Sequence, residues 1–424
     1  MPAPPQARPE VESLQAYSAP LEGRRGLLRL DFNENTVGPS PKVVEAIRAI
    51  PADHYAIYPE YDGLREAVLA SLADMPGTVS LPQPPALQPS LRIEQVGLFN
   101  GVDAAIHALF QAYGAPGDRL LTTSPTFGYY TPCARMQGMA IEAIPYRMPG
   151  FAFPFEEILA ALTTPPAGAD GGWLPPRLLL LCNPNNPTGT RLAPEAVLAL
   201  AAAAPHTLVV VDELYEAFTG DSVLPLLLDP EGQKPEGQKP GDAASRAAGT
   251  AAVPETAALP TAAGADPFAA YPNLLVLRSL SKTAGIAGLR IGFAIGAAAV
   301  VDRVSRVTGP YDINSFAVTA AFAALADQPY VDAYVAEVLA ARQWLVERLV
   351  AAGVRHHVDG GNYLLIWPQR PAAEVDQALR EAGILVRLMA GKPLIDGSLR
   401  VSLGTLEQMG RFWEAFVLCD VRPA

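Results

Sequence analysis

Seven short apolar runs, at 95–99, 119–122, 141–145, 177–182, 207–211, 273–277 and 290–295, recur through the middle of this 424-residue chain. Ala-rich helical stretches such as 104–112 and 195–203 fill the gaps between them. Runs like Leu178-Leu179-Leu180-Leu181 have no polar alternation, so a strand built from them must be covered on both faces. The order predicts an α/β fold with a large domain, its mostly parallel seven-stranded sheet flanked by helices. Beyond Ser315 the texture changes to a helix reaching Ala326, a long helix over 330–352, and strands at 363–367, 384–388 and 399–403. That part reads as a smaller α+β C-terminal domain. The predicted division is 1–50 for an N-terminal arm and the start of the small domain, 51–314 for the large domain and 315–424 for the small one.

One segment fits neither core. From 229 to 267 the chain is rich in Ala, Gly and Pro, and Glu231-Gly232-Gln233-Lys234-Pro235 is repeated by Glu236-Gly237-Gln238-Lys239-Pro240. Such a stretch buries too little apolar surface to offset its ordering entropy and is expected as a surface insertion, with smaller ones at 78–89 and 164–172.

Charge and cysteine usage narrow the chemistry. A net charge of -12, from 31 Lys and Arg against 43 Asp and Glu, argues against nucleic acid or an anionic membrane as partner. Any anionic ligand must then be gripped by local positive charge. Cys133, Cys182 and Cys419 supply neither a disulfide framework nor metal-ligand spacing, the five histidines form no HExxH, and no metal site is expected. No run long and apolar enough to span a bilayer is present, and the Pro-rich start lacks a signal sequence, so a cytoplasmic protein is expected.

The residues that follow the strands carry the chemistry. Ser279-Leu280-Ser281-Lys282 places a lysine between hydroxyls after an apolar run, with Arg290 eight positions on. A lysine held there suits imine formation with an aldehyde cofactor, and two serines and an arginine suit that cofactor's phosphate. Asn183-Pro184-Asn185-Asn186-Pro187-Thr188-Gly189 presents an asparagine amide at a strand's carboxyl end, where open α/β sheets bind ligands. Asp212-Glu213-Leu214-Tyr215 sets a carboxylate after the next strand. It is either a turn cap or the partner of a pyridinium nitrogen. Gly101-Val102-Asp103 opens a helix after a strand, which leaves N–H groups for an anion. Thr126-Phe127-Gly128-Tyr129-Tyr130 offers an aromatic face for a planar group.

This order of motifs resembles the fold-type I, pyridoxal-phosphate-dependent aminotransferases of class I/II, and within them it is most similar to the histidinol-phosphate aminotransferase family. Further carriers are Asp31-Phe32-Asn33-Glu34-Asn35, Gly38-Pro39-Ser40-Pro41, Tyr58-Pro59, Pro310-Tyr311-Asp312-Ile313-Asn314-Ser315 and Arg400-Val401-Ser402-Leu403-Gly404-Thr405. The resemblance implies that Lys282 binds pyridoxal 5'-phosphate covalently and shuttles the substrate's proton. It gives the ring nitrogen to Asp212, the phenolic oxygen to Asn186 and Tyr215, and the ring face to Phe127. The phosphate falls to Gly101, Val102, Asp103, Ser279, Ser281 and Arg290, with Tyr58 arriving from a second subunit of a homodimer. Tyr17, Asn33, Tyr311, Arg387 and Arg400 are the implied substrate contacts, and Arg400 fits either a phosphate or an α-carboxylate.

The implied partners are a small-molecule amino donor and a 2-oxo acid, in first place histidinol phosphate and 2-oxoglutarate. An aromatic or broad-specificity aminotransferase, or a threonine-phosphate decarboxylase, shares the same motifs. A non-catalytic homologue or regulator is disfavoured by the presence of Lys282, Asp212 and Arg290 and by the roughly thirty residues ahead of the domain, too few for a DNA-binding module. A dinucleotide-binding dehydrogenase lacks its GxGxxG. Three departures from the family pattern stand out. Thr36 replaces a proline, Thr283-Ala284 replaces alanine and an aromatic, and Asp212 to Lys282 is about forty residues longer, an excess that a surface loop absorbs.

Overall fold

The computed structural model describes residues 5–14, 22–73, 90–165, 173–228 and 265–421. Tyr17 and nearly all of the three predicted insertions lie outside the described residues. The strands in chain order are β1 (Leu28–Arg29), β2 (Val96–Phe99), β3 (Arg119–Ser124), β4 (Ala140–Pro145), β5 (Leu178–Cys182), β6 (Leu208–Asp212), β7 (Leu274–Ser279), β8 (Gly292–Gly296), β9 (Arg355–His357), β10 (Tyr363–Trp367), β11 (Ile384–Leu385), β12 (Arg387–Leu388) and β13 (Leu399–Ser402). Seven of them form the large sheet in the order β2-β8-β7-β6-β5-β3-β4. Pairings from β4 through β7 are parallel, and β8 runs against both of its neighbours. The mostly parallel α/β expectation is met.

Strand parity explains how this sheet is buried. Leu178, Leu180, Leu208, Val210, Leu275 and Leu277 enter one apolar core, while Leu179, Leu181, Val209, Val211, Leu274 and Val276 enter the core on the other face. Alternate residues of each strand thus meet helices on opposite sides, which accounts for the unbroken apolar runs. The same parity continues past the strand ends. It sends Cys182 and Asp212 to the face packed by helices Val102–Tyr113 and Tyr130–Met136, and Glu213 and Arg278 to the other, where they form a buried ion pair at 2.9 Å.

A second core gathers β10, β13 and the long helix Gln328–Ala351. That helix spans about 36 Å at 1.5 Å per residue and touches both cores: Val331 packs with the large sheet, and Tyr334, Val338, Ala341, Leu345 and Leu349 pack in the second. The preceding helix, Ser315–Leu325, is capped by the Asn314 side chain on the Ala317 N–H and buries its alanines in the core that holds Leu179 and Val209, packed against helices Pro41–Arg48 and Leu64–Ala73. The small sheet runs β12-β13-β10-β9 and is antiparallel.

Two sequence expectations are corrected in detail. The predicted strand over 384–388 divides into β11 and β12, because its first half pairs with β1 and its second with β13. The predicted strand at 290–295 begins only at Gly292, since Arg290 has a left-handed φ of 61° and belongs to the turn. β1 pairs with β11 before the chain crosses the sheet edge at Asp31–Gly38, and this crossing positions the site.

Candidate active site

Five loops meet at one edge of the large sheet: those after β2, β3, β5, β6 and β7. Phe99 and Ser279 both register with Gly292, so the ends of β2 and β7 lie level. Cys182 registers with Asp212, and Asp212 with Leu277, which brings the Asn183–Gly189, Asp212–Tyr215 and Ser279–Lys282 turns side by side. This is the carboxyl edge at which open α/β sheets bind ligands.

Asp212 is buried and accepts two hydrogen bonds, from the Tyr130 hydroxyl at 2.7 Å and the Leu214 N–H at 3.3 Å. Burial pushes its carboxyl up to about 6, and those two donors together with the Lys282 charge hold it from rising further. The Lys282 amine donates to the Phe32 carbonyl at 3.0 Å and stands 6.0 Å from the centre of the Tyr215 ring. Burial, followed by the Arg400 charge, lowers it to about 8. A lysine so placed carries far more free amine at neutral pH than an exposed one and is suited to attack an aldehyde.

Tyr215 receives both asparagines named in the sequence reading. Asn186 Nδ2 donates to its hydroxyl oxygen at 3.3 Å, and Asn33 Nδ2 at 3.1 Å. With its oxygen accepting twice, the Tyr215 hydroxyl proton is left to be donated onward. Asn33 is wholly buried, has φ 54°, and also accepts from the Ser402 hydroxyl at 2.9 Å. Asn186 Oδ1 in turn accepts from Arg400 Nη1 at 2.6 Å, and Arg400 Nη2 donates to the Asp31 carbonyl. The Asp31–Gly38 segment is thus tied over Lys282 and Tyr215. Asn35 adds a bond to the Thr283 carbonyl at 2.8 Å, and the Thr36 hydroxyl bonds Gln408.

An anion cradle lies at the other end of the lysine loop. Ser279 donates to Ser281 at 2.9 Å, while Arg290 pairs with Asp103 at 3.0 Å. Gly101 has φ 78° and caps the helix Val102–Tyr113, and a Cβ there would lie 2.5 Å from Arg290 Nη2. Backbone, first-turn N–H groups and a guanidinium therefore converge where no side chain fits, as a phosphate at a helix N-terminus requires. Phe127 packs edge-on to Tyr130, the ring whose hydroxyl bonds Asp212, with centroids 5.5 Å apart.

The remaining expected residues divide. Arg387 and Arg400 occupy directly opposed positions across β12 and β13, and Arg387 lies 5.5 Å from the Phe32 ring. Tyr58 and Tyr311 stack on each other at 4.0 Å, exposed by 70% and 55%. The sequence offers Tyr130 only as part of an aromatic face, not as a partner of Asp212, and assigns no role to Ser402 or the Phe32 carbonyl. The only sequence sign of Tyr130 is its place three residues after Phe127, at the start of the helix Tyr130–Met136.

Among the described residues no group of His, Cys, Asp or Glu is placed to hold a metal ion, and no helix is long and apolar enough to cross a membrane. The fold, with a buried lysine, a buried carboxylate and a phosphate cradle at one sheet edge, defines a fold-type I pyridoxal-phosphate enzyme.

Comparison with known proteins agrees. The sequence pattern of the aminotransferase class I and II family matches residues 25–416, and the chain belongs to that family. It is 33% identical over 398 residues to a histidinol-phosphate aminotransferase of Symbiobacterium thermophilum, covering 93% of this chain and 90% of the relative. It is 32% identical to that of Roseiflexus castenholzii over 419 residues, covering 95% and 94%. The solved histidinol-phosphate aminotransferase of Sinorhizobium meliloti, in complex with pyridoxal-5'-phosphate, superposes with a TM-score of 0.73 at 22% identity, covering 98% of this chain and 97% of that one. The protein is a pyridoxal-phosphate-dependent aminotransferase.

Proposed function

We propose that this aminotransferase acts on histidinol phosphate and 2-oxoglutarate. The observation that carries the substrate choice is the pairing of Arg387 with Arg400 at directly opposite strand positions, both beside the Asp31–Phe32 segment. Like charges so placed destabilise a strand pair. A phosphate dianion neutralises them, whereas a single carboxylate needs only one guanidinium. The names of the relatives at about one-third identity support the same reading.

When bound, pyridoxal phosphate supplies an electron sink conjugated to the substrate's α-carbon. In our reading Lys282 tethers it and carries the proton to and from that carbon. Asp212 holds the ring N–H, and Asn186 and Tyr215 donate to the phenolic oxygen. Phe127 covers the ring. The hydroxyls of Ser279 and Ser281, the Arg290 guanidinium and the Val102 and Asp103 amides hold the phosphate. We assign the exposed Tyr58–Tyr311 stack to the contact with a second copy, so that Tyr58 completes the partner's site. A homodimer in sedimentation analysis is the expected result.

The test is half-reaction spectroscopy. The holoenzyme is mixed separately with histidinol phosphate, phenylalanine, glutamate and threonine phosphate while the cofactor's absorbance is followed into its amine form. Conversion by histidinol phosphate and glutamate is expected; rapid conversion by phenylalanine with none by histidinol phosphate overturns the substrate choice. Arg387→Ala should raise KM for histidinol phosphate about 10- to 100-fold, the loss of one charge-assisted contact, and leave glutamate within about threefold.

A further inference from the structure

Each oxygen of Asp212 already has one protein donor, and the two donors differ in kind. The Leu214 N–H belongs to the turn that Asp212 itself begins, so it comes with the backbone path. The Tyr130 hydroxyl arrives from a separate helix, Tyr130–Met136, at 2.7 Å with the ring 1% exposed. Nothing in the local fold requires a hydroxyl there: the ring packs in the same core as Phe99, Ile106 and Leu180, where a phenylalanine would fit equally well. A buried phenol that spends its proton on a buried carboxylate is therefore acting on that carboxylate.

We propose that Tyr130 is the positioning residue for Asp212, aiming one carboxylate oxygen and keeping the group ionised so that the other oxygen can take the cofactor's ring N–H. The inference rests on the cofactor reading of the site and assigns a residue that acts through Asp212 without touching substrate. The groups facing Asp212 are few. They are Asp103 from the helix Val102–Tyr113, Tyr130 itself, Cys182 from β5, Lys282 from the turn after β7, and Tyr215 from its own loop. Lys282 and Tyr130 favour the charged carboxylate, while Asp103 and burial oppose it. Of the favourable pair, Lys282 becomes tied to the cofactor, which leaves Tyr130 as the side-chain donor that persists.

The experiment is titration of the full-length apoenzyme with pyridoxal 5'-phosphate between pH 6 and 9, followed by absorbance and by melting temperature. It uses wild type, Tyr130→Phe, Asp212→Asn and the double variant. Tyr130→Phe should move the pH midpoint of cofactor affinity upward by about one to two units, with binding about 10- to 100-fold weaker at pH 7 and recovering by pH 9. In the Asp212→Asn background the same change should have no effect on the pH profile. Tyr130→His, which keeps a donor, should restore part of the shift. An unchanged midpoint in Tyr130→Phe, or an equal and pH-independent loss in both backgrounds, overturns the inference while leaving the site reading standing. Failure of the wild type to take up the cofactor with an Asp212-dependent profile overturns both.

Discussion

Lys282→Ala is expected to lower transamination by at least about 10,000-fold, because in the proposed roles it removes both the covalent tether and the acid–base group, and general acid–base transfer alone contributes about 100- to 10,000-fold. The cofactor should still bind. In the proposed arrangement the phosphate contacts, the Asp212 salt link and the Phe127 face do not depend on the lysine. A denaturing mass measurement after hydride reduction should show one cofactor mass on wild type and none on the variant. Turnover resembling wild type would remove Lys282 from its role.

The lysine's altered proton affinity adds a second readout. With the amine held at about 8 by burial and by Arg400, roughly a tenth is free base at pH 7, against under a thousandth for an ordinary lysine. Because the free amine is the nucleophile, capture of pyridoxal phosphate by apoenzyme should accelerate from pH 6 to about pH 8 and then level off. An Arg400→Met variant removes one of the charges that depress the lysine, so its plateau should move to higher pH.

The large sheet was legible because its strands are buried on both faces and read as unbroken apolar runs, each set off by turn residues. Lys282, Asp212, Asn186 and Tyr215 were legible as candidates for a related reason. A polar residue directly after such a run falls at the sheet edge, wherever the following chain goes. Residues that depend on long-range pairing were harder to read. The two halves of 384–388 look like one strand until β1, more than 350 residues earlier, claims the first. The Phe32 carbonyl that accepts from Lys282 is a backbone atom and leaves no mark in residue type. Tyr130 opens a short helix directly after Phe127 and Tyr129, where a further aromatic is ordinary, and its hydroxyl gains meaning only once Asp212 is placed 2.7 Å from it.

Asp212→Asn should move activity and stability in opposite directions. In the cofactor-free fold this carboxyl titrates near 6, above its ordinary 3.8, because burial disfavours the charged form. A group raised in this way favours folding most below its unfolded value, and that contribution disappears as pH climbs through the folded value. Between about pH 4 and pH 6 the apoprotein therefore loses stability, of order 3 kcal/mol for a shift of about two units. Asparagine carries no charge to desolvate and fills the same volume, while the Tyr130 hydroxyl can turn to accept from its amide. The apo variant should accordingly melt several degrees higher than wild type at pH 7 and show a shallower decline between pH 4 and pH 6, the remainder coming from Glu213 and Asp359, which burial also raises. Turnover should meanwhile fall about 1,000-fold, because in the proposed site the ring nitrogen would lose the anion that keeps it protonated, and removal of one such preorganised group typically costs 100- to 1,000-fold. A variant less stable than wild type at pH 7 would mean that Asp212 serves the fold rather than the cofactor. If the group is held for catalysis, the fold tolerates its buried charge only because the bound pyridinium later neutralises it.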